Sequence, residues 1–242
     1  MRYLIISDLH SNLEALERFV EVAENLQYDR LVCLGDLVGY GANPNEVVTW
    51  VRRHADLVLA GNHDYAVVEK TDITYFNDYA RRACIWTRQV LTPDHHHFLG
   101  SLPLTHVEDD ILWTHASPWE PEAWHYVLSR YDGVDNFPHF GESRCFIGHT
   151  HRPLVLMEDA LKHVQLLTET SLRLEPEHRY LLNVGSLGQP RDGNPHPAFA
   201  LFDSAAGTFE VRRFSYAVER AQEKILENGL PPFLASRLEH GE

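Results

Sequence analysis

Cysteine and long apolar runs are both scarce in this sequence, and each scarcity excludes a class of protein. The three cysteines, Cys33, Cys84 and Cys145, have no paired spacing, so a disulfide framework is excluded. Two of them lie in apolar, strand-like segments, and buried reduced thiols of this kind favour a cytoplasmic protein. No apolar run approaches the length of a membrane span, so we expect no membrane contact.

Positive charge is also in short supply. The chain has 21 lysines and arginines against 35 aspartates and glutamates, which gives a formal net charge of −14. The adjacent arginine pairs lie on separate predicted elements and form no patch. Because an acidic surface repels a phosphate backbone, long nucleic acid is not an expected partner. Composition leaves the oligomeric state open.

What the sequence does contain is an alternation of short strands and helices. Its 242 residues, 44% of them hydrophobic, can bury one substantial core, and we expect a single domain over residues 1–242. Apolar strands are predicted at 3–6, 31–34 and 57–60, separated by helical patterns. Ser11 and Glu14 are predicted to begin the first helix as a capping box.

Along the rest of the chain, the predicted secondary structure changes from helices to strands. Residues 65–100 are predicted to be helical, and seven short strands are predicted between 111 and 214. A last helix is predicted over 217–227, where Asn-Gly and Pro-Pro follow. The tract His95-His96-His97 follows Thr-Pro-Asp, which predicts a solvated first turn of a helix, with a metal-binding tract as the alternative.

Polar side chains follow five of the predicted strands at the point where each strand ends. They are Asp8-Leu9-His10, Gly35-Asp36, Gly61-Asn62-His63-Asp64, Thr114-His115 and Gly148-His149-Thr150-His151. Ligands of open α/β sheets bind at the carboxyl ends of the strands, so we expect these side chains to meet. Carboxylates mixed with imidazoles, without thiolate, suit Mn, Fe or Zn. Asp8, Asp36, Asn62 and the five histidines make eight groups, too many for one ion, which favours two ions about 3.5–4 Å apart.

The motifs D-x-H, G-D, G-N-H-D, a lone H and G-H-x-H, in this order, resemble those of the calcineurin-like metallophosphoesterase superfamily. The resemblance runs from Asp8 to about Gly193. The turns Asn183-Val184-Gly185-Ser186 and Pro190-Arg191-Asp192-Gly193 resemble those of its small bacterial and archaeal branch of YfcE-like phosphodiesterases. The resemblance implies an α/β fold of four layers, an α-β-β-α sandwich in which two mixed β-sheets carry helices on both outer faces.

The resemblance also implies a role for each motif residue. The first metal ion would be held by Asp8, His10, Asp36 and His151, and the second by Asp36, Asn62, His115 and His149. His63, which is no ligand, would be the catalytic residue that acts on the substrate. Two divalent ions are implied, with Mn²⁺ expected and Fe, Zn, Ni or Mg as alternatives. A hydroxide bridging them would attack the phosphate ester.

The chain departs from the family in one motif. Where several relatives have G-D-x-x-D-R-G, this sequence has Gly39 and Tyr40 in place of the second Asp and the Arg. Asp64 is therefore the candidate partner that orients His63. Asn12, Tyr40 and Arg191 are the candidates for substrate binding. Arg191 is equally consistent with a surface ion pair, and Asn12 with an ordinary residue of the first helical turn.

Two classes of function fit these motifs. One is an enzyme, and the other is a non-catalytic phosphoesterase-like interaction scaffold. Because every ligand position and the catalytic histidine are present, the enzyme is favoured. The expected substrate is a small phosphodiester, since a site with a net charge of about +1 matches a diester at −1. Small phosphomonoesters, nucleotides and phosphoproteins are the alternatives.

Three tryptophans flank the lone histidine of the fourth motif. Trp113, Trp119 and Trp124 are candidates for the wall of a substrate cleft, and packing in the core or in a loop is the alternative.

Overall fold

The computed structural model describes residues 1–242. Its strands are β1 (Arg2–Ile6), β2 (Arg30–Cys33), β3 (Leu57–Val58), β4 (Thr105–Glu108), β5 (Ile111–Thr114), β6 (Arg144–Ile147), β7 (Leu154–Glu158), β8 (Val164–Leu167), β9 (Ser171–Arg173), β10 (Arg179–Asn183), β11 (Ala198–Asp203) and β12 (Thr208–Arg213). Its helices are α1 (Leu13–Ala23), α2 (Pro44–His54), α3 (Asn62–Val67), α4 (Asp78–Val90), α5 (Pro93–Ser101), α6 (Arg130–Asn136), α7 (Val218–Glu227) and α8 (Pro232–Ser236). None of these helices combines the length and the apolar character needed to cross a membrane.

The strands form two mixed sheets of six strands each. Their orders are β3-β2-β1-β11-β12-β9 and β4-β5-β6-β10-β7-β8. Strands β1, β2 and β3 run parallel in the first sheet, and β5, β6 and β10 run parallel in the second. All other pairs are antiparallel. Five of the six parallel strands are those followed by the polar motifs, so the motifs leave the sheets at carboxyl ends.

The core alternates along each strand, as a sheet covered on both faces requires. Tyr3 and Ile5 of β1 pack against the second sheet, where they join a buried cluster that contains Trp113. Leu4 and Ile6 point to the other face, where α1 to α5 cover the first sheet. The outer face of the second sheet packs against residues 127–140, which include α6. The predicted four-layer sandwich is confirmed.

The start of α1 differs from the predicted capping box. Asn12 is the N-cap, and its side-chain oxygen accepts a hydrogen bond from the Ala15 N–H at 3.1 Å. Ser11 has φ +55° and belongs to the left-handed turn before the helix, a conformation that an N-cap does not adopt. Glu14 reaches Lys224 of α7 instead of back to the cap. The prediction was wrong because tertiary contacts, not the local pattern, shape this turn.

The segment 65–100, predicted to be helical, contains three separate helices. They are separated where polar side chains form hydrogen bonds with the backbone. Asp72 accepts hydrogen bonds from the backbone and hydroxyl of Thr74 and so forms a turn between α3 and α4. Asn77 caps α4 and Thr92 caps α5. The three consecutive histidines lie in the first turns of α5, as predicted. Strands β4 and β9 and helices α6 and α8 were not predicted, since each is short and half-exposed.

Candidate metal centre and active site

The ligand-bearing turns adopt backbone conformations that are rare outside glycine. Five of the seven predicted ligands have a left-handed backbone: Asp8 (φ 55°), His10 (47°), Asp36 (53°), His149 (65°) and His151 (59°). Each such residue costs about 1–2 kcal/mol and is maintained only where the surroundings demand it. The Asp8 N–H donates to Gly35 and the His10 N–H to Asp36, each at 3.0 Å, so neighbouring turns support one another.

The turn after β10 supports the same edge from the second sheet. The Asn183 side chain donates to the Gly148 carbonyl at 2.6 Å and to the Thr150 hydroxyl at 3.0 Å. The Ser186 hydroxyl donates to the Asp8 carbonyl at 2.8 Å. The N-x-G-S motif therefore ties the G-H-x-H turn of one sheet to the D-x-H turn of the other.

These turns bring the predicted ligands together in two overlapping groups. The groups are Asp8, His10, Asp36, His151 and Asp36, His115, His149, and within each group the ligand atoms lie within 4.8 Å of one another. Asp36 belongs to both, which is the geometry of a carboxylate shared by two ions. Asn62, the first residue of α3, follows β3 and lines the same cleft as His149. None of the seven side chains is more than 8% exposed.

Each imidazole of the two groups hydrogen-bonds to a backbone carbonyl through one ring nitrogen. The pairs are His10 Nδ1 with Val38 (3.0 Å), His115 Nδ1 with Leu34 (3.0 Å), His149 Nε2 with Trp124 (3.0 Å) and His151 Nδ1 with Gln189. A carbonyl oxygen only accepts hydrogen bonds, so each of these nitrogens is the protonated one in the neutral ring. The other nitrogen keeps its lone pair, as in histidines that bind metals.

Three of the remaining ligand atoms make no hydrogen bond within the protein, and two more meet only each other. The Nε2 atoms of His10 and His151 lie 3.0 Å apart with both lone pairs facing each other. Asp8 Oδ1, Asn62 Oδ1 and His115 Nε2 are buried and accept or donate no hydrogen bond. An unsatisfied buried group costs about 1–3 kcal/mol, so these five atoms need an external partner. Divalent cations would satisfy all five, and the residues therefore fit a metal centre.

Burial keeps most of these imidazoles neutral. It lowers the pKa of His149 to about 3 and the pKa values of His10 and His151 well below the ordinary value. For His115, burial also disfavours the charged ring, but the carboxylates of Asp36, Asp8 and Asp64 together outweigh it and raise the pKa to about 9. The Nε2 atom of His115 lies 3.4 Å from Asp36 Oδ2. The region between these two side chains therefore attracts positive charge.

Comparison with known proteins agrees with this geometry. The family model described as the calcineurin-like phosphoesterase superfamily domain matches residues 1–207. The chain belongs to this superfamily. It is 41% identical over 239 residues to the uncharacterized protein MJ0912 of Methanocaldococcus jannaschii. The aligned residues cover 97% of this chain and 96% of that protein. The predicted family is confirmed.

Two solved structures show the same architecture along the whole chain. A metallophosphoesterase from Sphaerobacter thermophilus is 38% identical, with a TM-score of 0.88 over 100% of this chain and 99% of that one. The hypothetical protein PH1004 from Pyrococcus horikoshii OT3 is 18% identical, with a TM-score of 0.80 over 100% and 98%. The second likeness concerns the fold alone.

His63 lies beside the two ligand groups and belongs to neither. Its backbone N–H donates to Asp36 Oδ1 at 2.8 Å, and its ring centroid is 4.9 Å from that of His10. Burial lowers the pKa of His63 to about 4. On its Nδ1 side, the ring contacts the Cys84 thiol at 3.6 Å.

Asp64 does not orient His63, and that prediction was wrong. The Asp64 carboxylate is engaged by three backbone N–H groups, from Leu37, Val38 and Gly61. It thereby supports the turns after β2 and β3 from behind. Gly61 is required in this turn because a Cβ there would lie 2.0 Å from Asp36 Oδ1.

The three predicted substrate contacts have different surroundings. Asn12 is buried and fully engaged by the fold, since its oxygen caps α1 and its amide donates to Gly188 and to the Tyr216 hydroxyl. Tyr40 is 6% exposed, and its ring lies 4.4 Å from that of His63. Arg191 donates its backbone N–H to His151 and its guanidinium to Gln189. Of the three, only Tyr40 lines the cleft beside the metal groups, and Arg191 lies against the Tyr40 ring.

Arg237 is a charged residue at this site that sequence reasoning missed. The guanidinium carbons of Arg191 and Arg237 lie 5.4 Å and 6.0 Å from the centre of the Tyr40 ring. Burial and the charge of Arg191 lower the pKa of Arg237 to about 10. Neither guanidinium pairs with a carboxylate side chain. No sequence signal marks Arg237, because it follows α8, far beyond the last motif.

A cleft of about 570 Å³ opens onto the metal groups, and Asn62, His63 and His149 form part of its lining. Of the three tryptophans considered for such a wall, only Trp124 lines the cleft. Trp113 is buried between the sheets, and Trp119 stacks on His125 at 4.5 Å.

Proposed function

We propose that this protein is a dinuclear-metal-dependent phosphoesterase that hydrolyses small phosphodiesters. Superfamily membership indicates phosphoester hydrolysis. The observation that carries the metal proposal is the meeting of buried ligand atoms, several of them without a hydrogen-bond partner, in two overlapping groups. The first ion would be held by Asp8, His10, Asp36 and His151, and the second by Asp36, Asn62, His115 and His149. We expect Mn²⁺, with Fe, Zn, Ni or Mg as alternatives.

The protein's own groups set the charge of this site. When bound, two divalent ions supply an acidified water as the nucleophile and neutralise charge on the phosphoryl oxygens. Asp8 and Asp36 contribute −2 and the neutral imidazoles nothing, which leaves the loaded site positive and attractive to a phosphate ester. His63 lies outside both ligand groups, and as a neutral imidazole its ring N–H would donate a hydrogen bond to the departing oxygen or to a phosphoryl oxygen.

The proposed preference for diesters follows from charge. With a hydroxide present, the net charge of the metal groups is about +1, and a diester at −1 balances it. Tyr40 occupies the position at which related phosphatases have an arginine. Arg191 and Arg237 add positive charge near Tyr40, and this observation favours a phosphomonoesterase as the second candidate.

The setting of the reaction is part of the same proposal. The net charge of −14 opposes long nucleic acid, so the substrate is proposed to be a small molecule. All three cysteines are free and buried, which supports a cytoplasmic location.

The test combines metal analysis with turnover. Protein loaded with Mn, Ni, Zn or Mg should contain about two ions per chain and hydrolyse a panel of diesters and monoesters, with diesters turned over best. One ion or none per chain would overturn the dinuclear assignment. Two bound ions without turnover of any ester would instead support the non-catalytic scaffold.

A further inference from the structure

The cleft beside the metal groups is walled by aromatic side chains that the fold leaves accessible. Tyr75 is 91% exposed and Tyr126 is 53% exposed, and Phe76 and Trp124 are partly buried beside them. The volume of about 570 Å³ lies within the range of pockets that hold an organic ligand of substantial size, and far exceeds what a phosphate group needs. The protein itself therefore provides a binding surface for more than the scissile phosphate.

Three polar side chains of the cleft are already engaged by the fold. The Lys70 ammonium donates to the Gly100 carbonyl, Asp72 accepts two hydrogen bonds from Thr74, and Asn77 caps α4. The exposed aromatic rings of Tyr75 and Tyr126 remain available for a ligand. Tyr126 is also held in place, because its ring stacks on the His149 imidazole at 4.3 Å and 27°.

We infer that this cleft binds a planar aromatic group joined to the scissile phosphate, as in a nucleotide or an aryl ester. The inference rests on the proposed function, since the metal groups would hold the phosphate while the aromatic wall holds the rest of the substrate. Stacking on one or two tyrosines should favour an aromatic over an aliphatic group by roughly tenfold.

Two phosphonates of similar size test this, because a carbon–phosphorus bond resists hydrolysis. Calorimetry on metal-loaded protein should show phenylphosphonate binding roughly tenfold more tightly than cyclohexylphosphonate. Tyr75→Ala combined with Tyr126→Ala should bring the two within about twofold of each other. Tyr75→Ala alone, at an exposed position, should lower the ratio without affecting metal content. Tyr131→Ala on α6 is the matched control, since Tyr131 is exposed but does not line the cleft.

Adenosine has no phosphate, so its binding tests the aromatic cleft without the metal groups. Saturation-transfer NMR signals from its base that vanish in the double variant would assign a nucleobase, whereas the phenyl preference without such signals would assign a simple aryl group. Equal affinity for the two phosphonates, or a preference that survives the double variant, would overturn the inference. If neither phosphonate binds but adenosine does, the metal-site function fails and the aromatic cleft stands.

A second inference comes from the surroundings of the His63 ring. Its Nδ1 lies 3.6 Å from Cys84 Sγ, and the structure gives the ring no other hydrogen-bond partner. Gly39 (φ +91°) lies on the same side, and a Cβ there would be 2.5 Å from that nitrogen. A side chain at position 39 is therefore excluded from this nitrogen. The Cys84 thiol reaches the nitrogen from α4, fully buried, and burial raises its pKa to about 12, so it stays protonated.

We propose that Cys84 is a positioning residue for His63. This proposal rests on the proposed role of His63, and a thiol would hold the ring without placing a second negative charge beside the metal groups. In metal-loaded protein, Cys84→Ala should lower turnover of an alkyl diester by roughly tenfold and that of a nitrophenyl diester by less than about twofold. Cys84→Ser, which keeps a hydrogen-bonding group, should restore most of the loss.

Equal losses on the two diesters, or a serine variant no better than alanine, would overturn the positioning role. A readout independent of activity is the ¹⁵N signal of the His63 ring in zinc-loaded protein. It should shift in Cys84→Ala while the signals of the four ligand histidines stay in place. An unchanged His63 signal would overturn the proposal even if His63 proved to have no catalytic role.

Discussion

At the floor of the site, the four ligand imidazoles are buried and each hydrogen-bonds to a backbone carbonyl. At its rim, by contrast, Tyr75 and Tyr126 are exposed, and Arg191 and Arg237 are half-buried without a carboxylate side chain as partner. The backbone thus fixes each imidazole of the floor. A substitution there is expected to disturb the whole group of side chains. The rim consists of side chains that can change one at a time.

This difference separates chemistry from selectivity. Groups that share one hydrogen-bond network lose their function together, whereas separate surface groups act nearly independently. We therefore expect floor substitutions to abolish metal binding or turnover for every substrate. Rim substitutions should alter the ranking of substrates and leave the chemistry intact.

Asp36→Asn should have the largest effect. Asp36 belongs to both ligand groups, so the loss of its charge should reduce the metal content and lower turnover by ~10⁴-fold or more, because each ion contributes several kcal/mol. Elemental analysis and turnover should fall together. Thermal unfolding of the metal-free protein is the control and should show that the variant still unfolds cooperatively. Full activity in this variant would mean that the metal centre is misassigned.

His63→Ala should have the next largest effect and separates catalysis from metal binding. Both ions should stay, while turnover of unactivated esters falls by roughly 10²–10⁴-fold. The loss should be smaller for a nitrophenyl leaving group, which needs no proton, if His63 protonates the departing oxygen. Equal losses on both kinds of ester would assign the ring to stabilisation of the phosphoryl group, and lost metal would place His63 among the ligands.

Arg191→Ala should have the smallest effect and changes only the rim. A guanidinium that pairs with the second charge of a monoester should contribute roughly tenfold to kcat/KM for that ester and little for a matched diester. Arg237→Ala should act in the same direction. The control is Arg173→Ala on β9, at an exposed position away from the site. A wild type that prefers the monoester, with the preference lost in Arg191→Ala, would contradict the proposed diester preference.

Much of the floor was readable from the sequence because it is local. Each ligand follows an apolar strand directly, and parallel strands place their carboxyl ends on one edge. The order of the five motifs pointed to the superfamily and hence to the four layers. The short elements escaped because β4, β9, α6 and α8 are too brief for a periodic signal.

By itself, then, the sequence determined which residues follow the parallel strands and to which family the chain belongs. Only the tertiary structure decided that Cys84 and not Asp64 contacts the His63 ring, that Arg237 joins Arg191 beside Tyr40, and that Trp124 alone of three tryptophans lines the cleft. The physical reason is distance along the chain. Strand ends are encoded by neighbouring residues, whereas these contacts join segments far apart in sequence, and packing of the whole fold determines which of them meet.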